Sequence, residues 1–282
     1  MLTEEEKYRY SRHIKLNEVG ESGQQKLKQS NVLVIGSGGL GCPVLQYLSA
    51  AGVGTIGIID FDTIELSNLQ RQILFTTEDI GKNKAKVAAN RLSGLNPNVD
   101  YIVYPERLTT KNALSLFNDF DIVVDGSDNF ATRYLANDAA VITNTPLVYG
   151  AIYKFEGQVS VFNYQNGPTY RCLYPEPPGY GAMTNCSDIG VLGVLPGMIG
   201  TYQANETLKI ILGIGEVLKG KLLLIKALNY ESQKLSISKN QHEIDKVMAK
   251  ADEFENRDYD VLCTTNMTVV SEINASELKQ LL

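Results

Sequence analysis

The sequence predicts an α/β fold in which N-terminal helices precede a mostly parallel sheet that continues into antiparallel strands. Three observations predict it. Asn31-Val-Leu-Val-Ile-Gly36 is apolar at every inner position, the pattern of a parallel strand covered on both faces. Gly36-Ser-Gly38-Gly39-Leu-Gly41 then makes a turn, an apolar stretch over 42–52 reads as a helix, and Thr55-Ile-Gly-Ile-Ile-Asp60 as a second strand, which completes a strand–helix–strand unit. After Gly150 the pattern changes: Gly157-Gln-Val-Ser-Val-Phe162 alternates apolar and polar, as an antiparallel strand does.

The remaining elements follow in order. Thr3 before Glu4, Glu5 and Glu6 is a helix-start signal, since acids suit the first turn. A basic segment, Tyr8-Arg-Tyr-Ser-Arg12-His13, comes next, and 22–30 reads as a short amphipathic helix. Helical spacing returns over 82–95 and stops at Asn96-Pro97; a short strand is expected over 100–105 and a helix over 110–118. Phe120-Asp-Ile-Val-Val-Asp125 reads as another buried strand, 130–143 as a helix, and 146–149 as a strand. Pro175, Pro177, Pro178, Gly179 and Gly181 preclude regular structure in a loop over 166–187. A glycine-punctuated apolar helix is expected over 190–213, then strands over 221–228 and 233–238, before the chain turns polar beyond 240.

Composition bounds the function. The chain has 282 residues, 44% hydrophobic and 21% charged, enough for one large α/β domain or two small ones. Its formal charge of −6 argues against a general nucleic-acid binder, so any anionic ligand must meet local positive charge. Residues 1–30 lack the apolar run of an export signal, and no stretch has the length and apolarity of a membrane span. With four cysteines and no disulfide-like framework, a reducing cytoplasm is the expected compartment.

Gly36, Gly38 and Gly41 satisfy a G-x-G-x-x-G pattern between a strand and a helix, where glycines let the backbone approach a pyrophosphate at a helix N-terminus. Asp60, ending the next strand, suits ribose hydroxyls. On this motif alone a nicotinamide dinucleotide fits as well as ATP. The following run, Asp60-Phe-Asp62-Thr-Ile-Glu65-Leu-Ser67-Asn68-Leu69-Gln70-Arg71-Gln72, and then Lys84 carry more polar groups than a dinucleotide needs. Two cations near a phosphate cradle suit a third phosphate and developing negative charge. Asp125 and Asp128, after another strand, are oxygen ligands suited to Mg²⁺. Singly, Arg71 or Lys84 could be a solvated helix face, and Asp128 and Asn129 a helix start; together at one sheet edge they favour a Rossmann-like ATP-binding half.

These residues resemble the ThiF/MoeB family, prokaryotic relatives of ubiquitin-activating enzymes. Arg9-Tyr-Ser-Arg12-His13-Ile, the glycine turn, Asp60-Phe-Asp62, Ser67-Asn68-Leu69-Gln70-Arg71-Gln72, Lys84, Asp125-Gly-Ser-Asp128-Asn129, Gly150, Glu156-Gly157-Gln158 and Tyr170-Arg-Cys172-Leu match it in order, over about residues 5–240. The resemblance implies a homodimer that uses ATP and Mg²⁺ to adenylate the C-terminal Gly-Gly carboxylate of a ubiquitin-like sulfur-carrier protein of the MoaD/ThiS type. Such carriers serve molybdopterin, thiamine and tRNA-thiolation pathways. It further implies that Gly39 and Asp60 bind nucleotide, that Asn68, Arg71 and Lys84 contact phosphates, that Asp128 binds Mg²⁺, and that Arg12 reaches into the partner subunit's site.

Cys186 matches a position that in some members bonds the activated carrier; a reactive thiol and a merely small polar residue both stay open there. Most members hold Zn²⁺ with two C-x-x-C pairs, whose four thiolates close a tetrahedral site. Here Thr169-Tyr-Arg-Cys172 and Cys263-Thr-Thr-Asn266 keep one cysteine each, so zinc is not expected. The resemblance assigns 1–240 to an adenylation domain and 241–282 to a polar linker or tail. Its close, Glu272-Ile-Asn-Ala-Ser-Glu-Leu-Lys-Gln-Leu-Leu282, resembles the opening of a rhodanese-like sulfurtransferase domain, and a sulfurtransferase is a further partner the resemblance allows. Two other readings compete: dehydration of the tRNA threonylcarbamoyladenosine type, which a basic surface would favour, and an NAD-binding oxidoreductase, which tight NADH binding would favour.

Overall fold

The computed structural model describes residues 1–177 and 190–260. Three helices open the chain: α1 (Glu4–Arg9), α2 (Ser11–Ile14) and α3 (Gly20–Gln29). Thr3 and Glu6 cap α1 reciprocally, each side chain accepting the other's backbone N–H, so two otherwise orphaned donors are satisfied. The α/β body follows: β1 (Asn31–Ile35), α4 (Gly41–Ala51), β2 (Thr55–Ile59), α5 (Lys84–Leu95), β3 (Asp100–Tyr104), α6 (Thr110–Asp119), β4 (Ile122–Asp125), α7 (Phe130–Thr143) and β5 (Leu147–Tyr153). Then come β6 (Glu156–Phe162), α8 (Tyr170–Leu173), α9 (Val194–Leu212), β7 (Lys221–Lys226), β8 (Glu231–Ser236) and α10 (Gln241–Met248).

All eight strands join one sheet in the order β3-β2-β1-β4-β5-β6-β7-β8. The first five are parallel, and β6, β7 and β8 alternate in direction. The expected parallel-then-antiparallel architecture is therefore the observed one. Two apolar layers flank the sheet, one gathering Leu27, Leu45, Leu92 and Ile199 from α3, α4, α5 and α9, the other Phe117, Tyr134 and Tyr170 from α6, α7 and α8. Each such side chain, fully buried, contributes about 1.5–3 kcal/mol. The periodic elements lie close to their expected bounds. The helix expected from 190 starts at Val194, and β5 runs on to Tyr153 because it pairs with β6 from Leu147↔Phe162 to Tyr153↔Glu156.

Residues 241–260, expected as linker or tail, pack onto the body. Phe254 is wholly buried, Tyr259 nearly so, and both join the α6–α7 layer. Polar groups fix the same segment. Asp138 of α7, with no solvent exposure, accepts hydrogen bonds from Arg171 Nε at 2.6 Å and Nη2 at 2.9 Å, Arg257 Nη1 at 3.0 Å and Tyr259 Oη at 2.8 Å. A polar composition hid this packing: a few large apolar side chains and one buried carboxylate carry it. The rhodanese-like close and Cys263 lie outside the described residues. No helix among the described residues is long and apolar enough to cross a membrane.

Candidate active site

The chain leaves β1 for β2 on one side, while β4 pairs on the other, so the strand order reverses between β1 and β4. In open α/β sheets a crevice forms at such a point, beyond the carboxyl ends of the strands. The glycine turn lies in it. Gly36 has φ +80°, a left-handed conformation that favours glycine. A Cβ at Gly41 would lie 1.9 Å from the Gly36 carbonyl oxygen, so no larger residue fits there. Among the described residues the backbone amides of Gly38, Gly39 and Leu40, at the start of α4, donate to no backbone acceptor. Such free amides at a helix N-terminus attract anions. Asp60 anchors the turn from β2: its Oδ2 accepts from Ser37 N at 2.8 Å and Ser37 Oγ at 2.9 Å, its Oδ1 from Asp62 N at 2.9 Å. A carboxylate has about four acceptor sites, so Asp60 keeps roughly one for a ligand hydroxyl.

The segment between β2 and α5 forms one wall. Asn83 holds its two ends together, donating from Nδ2 to the Asp60 carbonyl at 3.0 Å and the Asp62 carbonyl at 3.2 Å. The same Asn83 caps α5 by accepting from Lys86 N at 3.1 Å, which presents Lys84 at the first turn of α5. Lys84 Nζ reaches Asp62 Oδ2 at 2.9 Å. Arg71 follows a 3₁₀ turn over Leu66–Asn68 and donates from Nη1 to the Ser67 carbonyl at 3.1 Å. Both cations line the cleft.

The other wall starts at β4. Asp125 is buried: its Oδ1 accepts from Ser127 N at 2.9 Å, and burial raises its pKa above the usual carboxylate range against the opposing pull of Arg133. Asp125 does not line the cleft. Asp128 does, and it is exposed, with no hydrogen bond or ion pair among the described residues. Asn129 caps α7 by accepting from Thr132 N at 2.9 Å. Arg133, one turn along α7, lies with its guanidinium carbon 5.4 Å from the Phe130 ring centroid and 5.7 Å from that of Tyr149.

The cleft has a volume of about 330 Å³ and brings together Gly36, Gly38, Gly39, Asp60, Asp62, Gln70, Arg71, Lys84, Asp128 and Asn129. Gly41, Ser67, Asn68 and Leu69 do not line it. Gly41 packs behind the turn, and Asn68 is buried with its Oδ1 accepting from Glu65 N at 3.1 Å. Arg12 is exposed on α2, away from the cleft, and has no partner among the described residues. Cys186 falls outside the described residues.

Cys172 Sγ accepts from Thr169 N at 3.3 Å and Asn240 N at 3.2 Å. Among the described residues no group of three or more His, Cys, Asp or Glu side chains could hold a metal. Sequence reasoning missed Gln72, Arg107, Ser127, Arg133, Tyr153 and Lys154, all of which line the cleft. Arg133 was within reach, since it lies four residues after Asn129 on one helix face. Arg107 follows the edge strand β3 in a loop without a motif, and nothing in the sequence marks it.

A glycine turn at a sheet's switch point, with cations on one wall and a free carboxylate on the other, defines a protein built to bind a nucleotide polyphosphate. The chain belongs to the ThiF family, which its residues 10–246 match. It is 54% identical over 243 residues to a sulfur carrier protein adenylyltransferase of Thermus thermophilus, an alignment covering 84% of this chain and 90% of that protein. It is 47% identical over 244 residues to the probable adenylyltransferase/sulfurtransferase MoeZ of Mycobacterium tuberculosis, covering 85% of this chain but 62% of MoeZ. Among solved structures, Escherichia coli MccB shares the fold, with a TM-score of 0.73 at 24% identity, over 83% of this chain and 72% of that one.

Proposed function

We infer that the chain is an adenylyltransferase that activates the C-terminal carboxylate of a sulfur-carrier protein with ATP. The observation that carries this reading is the pairing, across one glycine turn, of Arg71 and Lys84 with the unpartnered carboxylate of Asp128. The 54% identity to the sulfur carrier protein adenylyltransferase of Thermus thermophilus supports the carrier as substrate. A ubiquitin-like carrier ending in Gly-Gly is the finer form of that proposal.

ATP would seat its phosphates on the free amides of Gly38, Gly39 and Leu40, with a ribose hydroxyl donating to Asp60. An oxygen of the carrier carboxylate attacks the α-phosphorus, and the bond to pyrophosphate breaks with its electron pair leaving on pyrophosphate. Arg71 and Lys84 neutralise that charge, so positioning and electrostatics supply the catalysis and no protein nucleophile is required. Mg²⁺ is commonly held by one or two carboxylates together with substrate phosphates and water, and the free Asp128 carboxylate fits that donor set. Bound there, Mg²⁺ supplies charge neutralisation at the phosphates. Arg12, exposed and without a partner among the described residues, is available to serve the second protomer of a homodimer.

The test is exchange of labelled pyrophosphate into ATP, measured with and without carriers ending in Gly-Gly. Exchange that depends on a carrier is the expected result. No exchange with any of them would overturn the reading.

A further inference from the structure

Two buried side chains lining the cleft each carry an oxygen that lacks a hydrogen-bond partner of full geometry among the described residues. Gln72 is 4% exposed, lines the cleft, and its Oε1 has no hydrogen-bond partner among the described residues. Its amide lies against the glycine turn: a Cβ at Gly38 would sit 3.5 Å from Gln72 Nε2. Ser127 is 9% exposed and lines the same cleft; its Oγ has no partner of full hydrogen-bond geometry among the described residues, its nearest polar neighbour being the buried Asp125 carboxylate, whose pKa it helps hold down. It flanks the turn from β4, since a Cβ at Gly36 would sit 3.8 Å from Ser127 N. Buried polar groups in folded proteins are satisfied as a rule, and those left open destabilise the fold. Gln203 Oε1 and Asp125 Oδ2 are also open, but neither residue lines the cleft. Gln72 and Ser127 are distinguished by facing the space where a ligand enters, one on each side of the turn.

We propose that Gln72 and Ser127 hydrogen-bond the phosphoryl group seated on the glycine turn, which in the adenylation reading above is the α-phosphoryl. The inference rests on that reading. Phosphoryl oxygens are acceptors, and the hydroxyl of Ser127 donates by rotating its proton toward them. Rotation of the Gln72 amide exchanges its oxygen and nitrogen, so it presents N–H to the same group. Both are neutral, and neither gains nor loses a proton. The carboxylate–phosphorus bond forms and the phosphorus–pyrophosphate bond breaks, while the two donors hold the equatorial oxygens in place. Donors fixed before the reaction need no reorganisation as charge moves. Both lie inside motifs read from the sequence, Ser67 to Gln72 and Asp125 to Asn129, but the motifs assign no role to either, because sequence does not show which polar side chains of such a run turn into the cleft.

The test uses the full chain with Gln72→Met and Ser127→Ala, which keep side-chain volume close to the original. Three quantities are measured: the unfolding temperature without ligand, the Kd for MgATP, and kcat and KM for ATP in carrier-dependent pyrophosphate exchange. Each variant is expected to unfold at or above the wild-type temperature, because the change removes an unsatisfied buried group. Each is expected to weaken ATP binding or slow exchange at least tenfold. Two results would each overturn the inference: a variant that unfolds earlier than wild type, which assigns the side chain an internal role, or binding and exchange both within twofold of wild type. If wild type neither binds MgATP nor supports exchange, the adenylation reading fails first and this inference falls with it. A wild type that works beside unaffected variants overturns the inference alone.

Discussion

Lys84 Nζ lies 2.9 Å from Asp62 Oδ2, and the Lys84 backbone N–H donates to the Asp62 carbonyl at the same distance. The lysine side chain is 8% exposed and the aspartate 47%, so a buried ammonium is held at the cleft by a carboxylate that still reaches water. In the proposed adenylation reading, an entering triphosphate would compete with Asp62 for that ammonium. Asp62, although it lines the cleft, repels phosphate and is better suited to orienting Lys84 than to touching the nucleotide. Lys84→Met should lower pyrophosphate exchange at least a hundredfold. The unfolding temperature should move little, because the freed Asp62 carboxylate is solvated. Exchange within tenfold of wild type would remove Lys84 from the chemistry.

The two aspartates after β4 should behave oppositely. Asp128 is exposed and unpartnered, so Asp128→Ala should leave stability unchanged while exchange falls at least a hundredfold or requires far more Mg²⁺. Asp125 is buried, with its carboxyl pushed toward the protonated form by burial. Asp125→Asn preserves its shape and its hydrogen bond from Ser127 N, so the Mg²⁺ dependence of exchange should be that of wild type. A shift of that dependence in the Asp125 variant would place the wrong aspartate at the metal.

The contrast between these aspartates marks where sequence stops being legible. The strand, the turn and the helix after each parallel strand were readable because apolar runs, Gly36-Ser-Gly38-Gly39-Leu-Gly41 and capping residues such as Asn129 act locally. That Asp125 turns inward and Asp128 outward depends on the backbone after β4, where a Ser127 amide captures the Asp125 carboxylate. Where the Asn68 side chain goes was equally hidden: its Oδ1 accepts from Glu65 N within its own 3₁₀ turn. Arg107 reaches the cleft from the loop after β3, where its guanidinium carbon lies 5.9 Å from the Phe61 ring centroid and it pairs with Asp260 at 3.1 Å. No local pattern encodes a contact across that span.

Among the described residues, Asp138 is the ionic partner of both Arg171 and Arg257. Replacing it with alanine strands two largely buried guanidiniums, a change that typically costs about 3–5 kcal/mol. For a chain of this size that corresponds to a fall in Tm of very roughly 10 °C. Arg107→Ala, which breaks a pair exposed on both sides, should cost about 1 kcal/mol or less. Thermal unfolding of the two variants side by side checks the order; equal effects would mean that the Asp138 network does not hold residues 257–259 in place.

Cys42 is fully buried at the start of α4 and donates from Sγ to the Ser37 carbonyl at 3.2 Å. Burial pushes its pKa up to about 12. The folded state thus keeps a proton that the unfolded chain loses near 9.0. The resulting stability is present in full below the unfolded value and is lost as pH rises from there through the folded one. At pH 8, iodoacetamide should leave Cys42 unmodified in the native protein and alkylate it once denaturant unfolds the chain, with peptide mapping by mass spectrometry resolving this cysteine from the others. Rapid native alkylation would show that the thiol is accessible beneath the glycine turn.

Glycines 38 and 41 should separate the fold from the chemistry of the turn. A Cβ at Gly41 would fall 1.9 Å from the Gly36 carbonyl oxygen, which is backbone and cannot swing aside. Gly41→Ala must therefore displace the start of α4, and overpacking of this kind costs about 3 kcal/mol or more. At Gly38 the nearest atom, Gln72 Nε2, is 3.5 Å away, an ordinary contact. Gly38→Ala should fold with a Tm within about 2 °C of wild type, since roughly 0.5 kcal/mol is at stake. Its methyl, however, would press on the space between the turn and Gln72 that a phosphoryl group must share, so MgATP affinity should fall about tenfold. Measuring Tm and the Kd for MgATP in both variants decides the matter: undiminished affinity in a folded Gly38→Ala protein would show that phosphates do not approach the turn on that side.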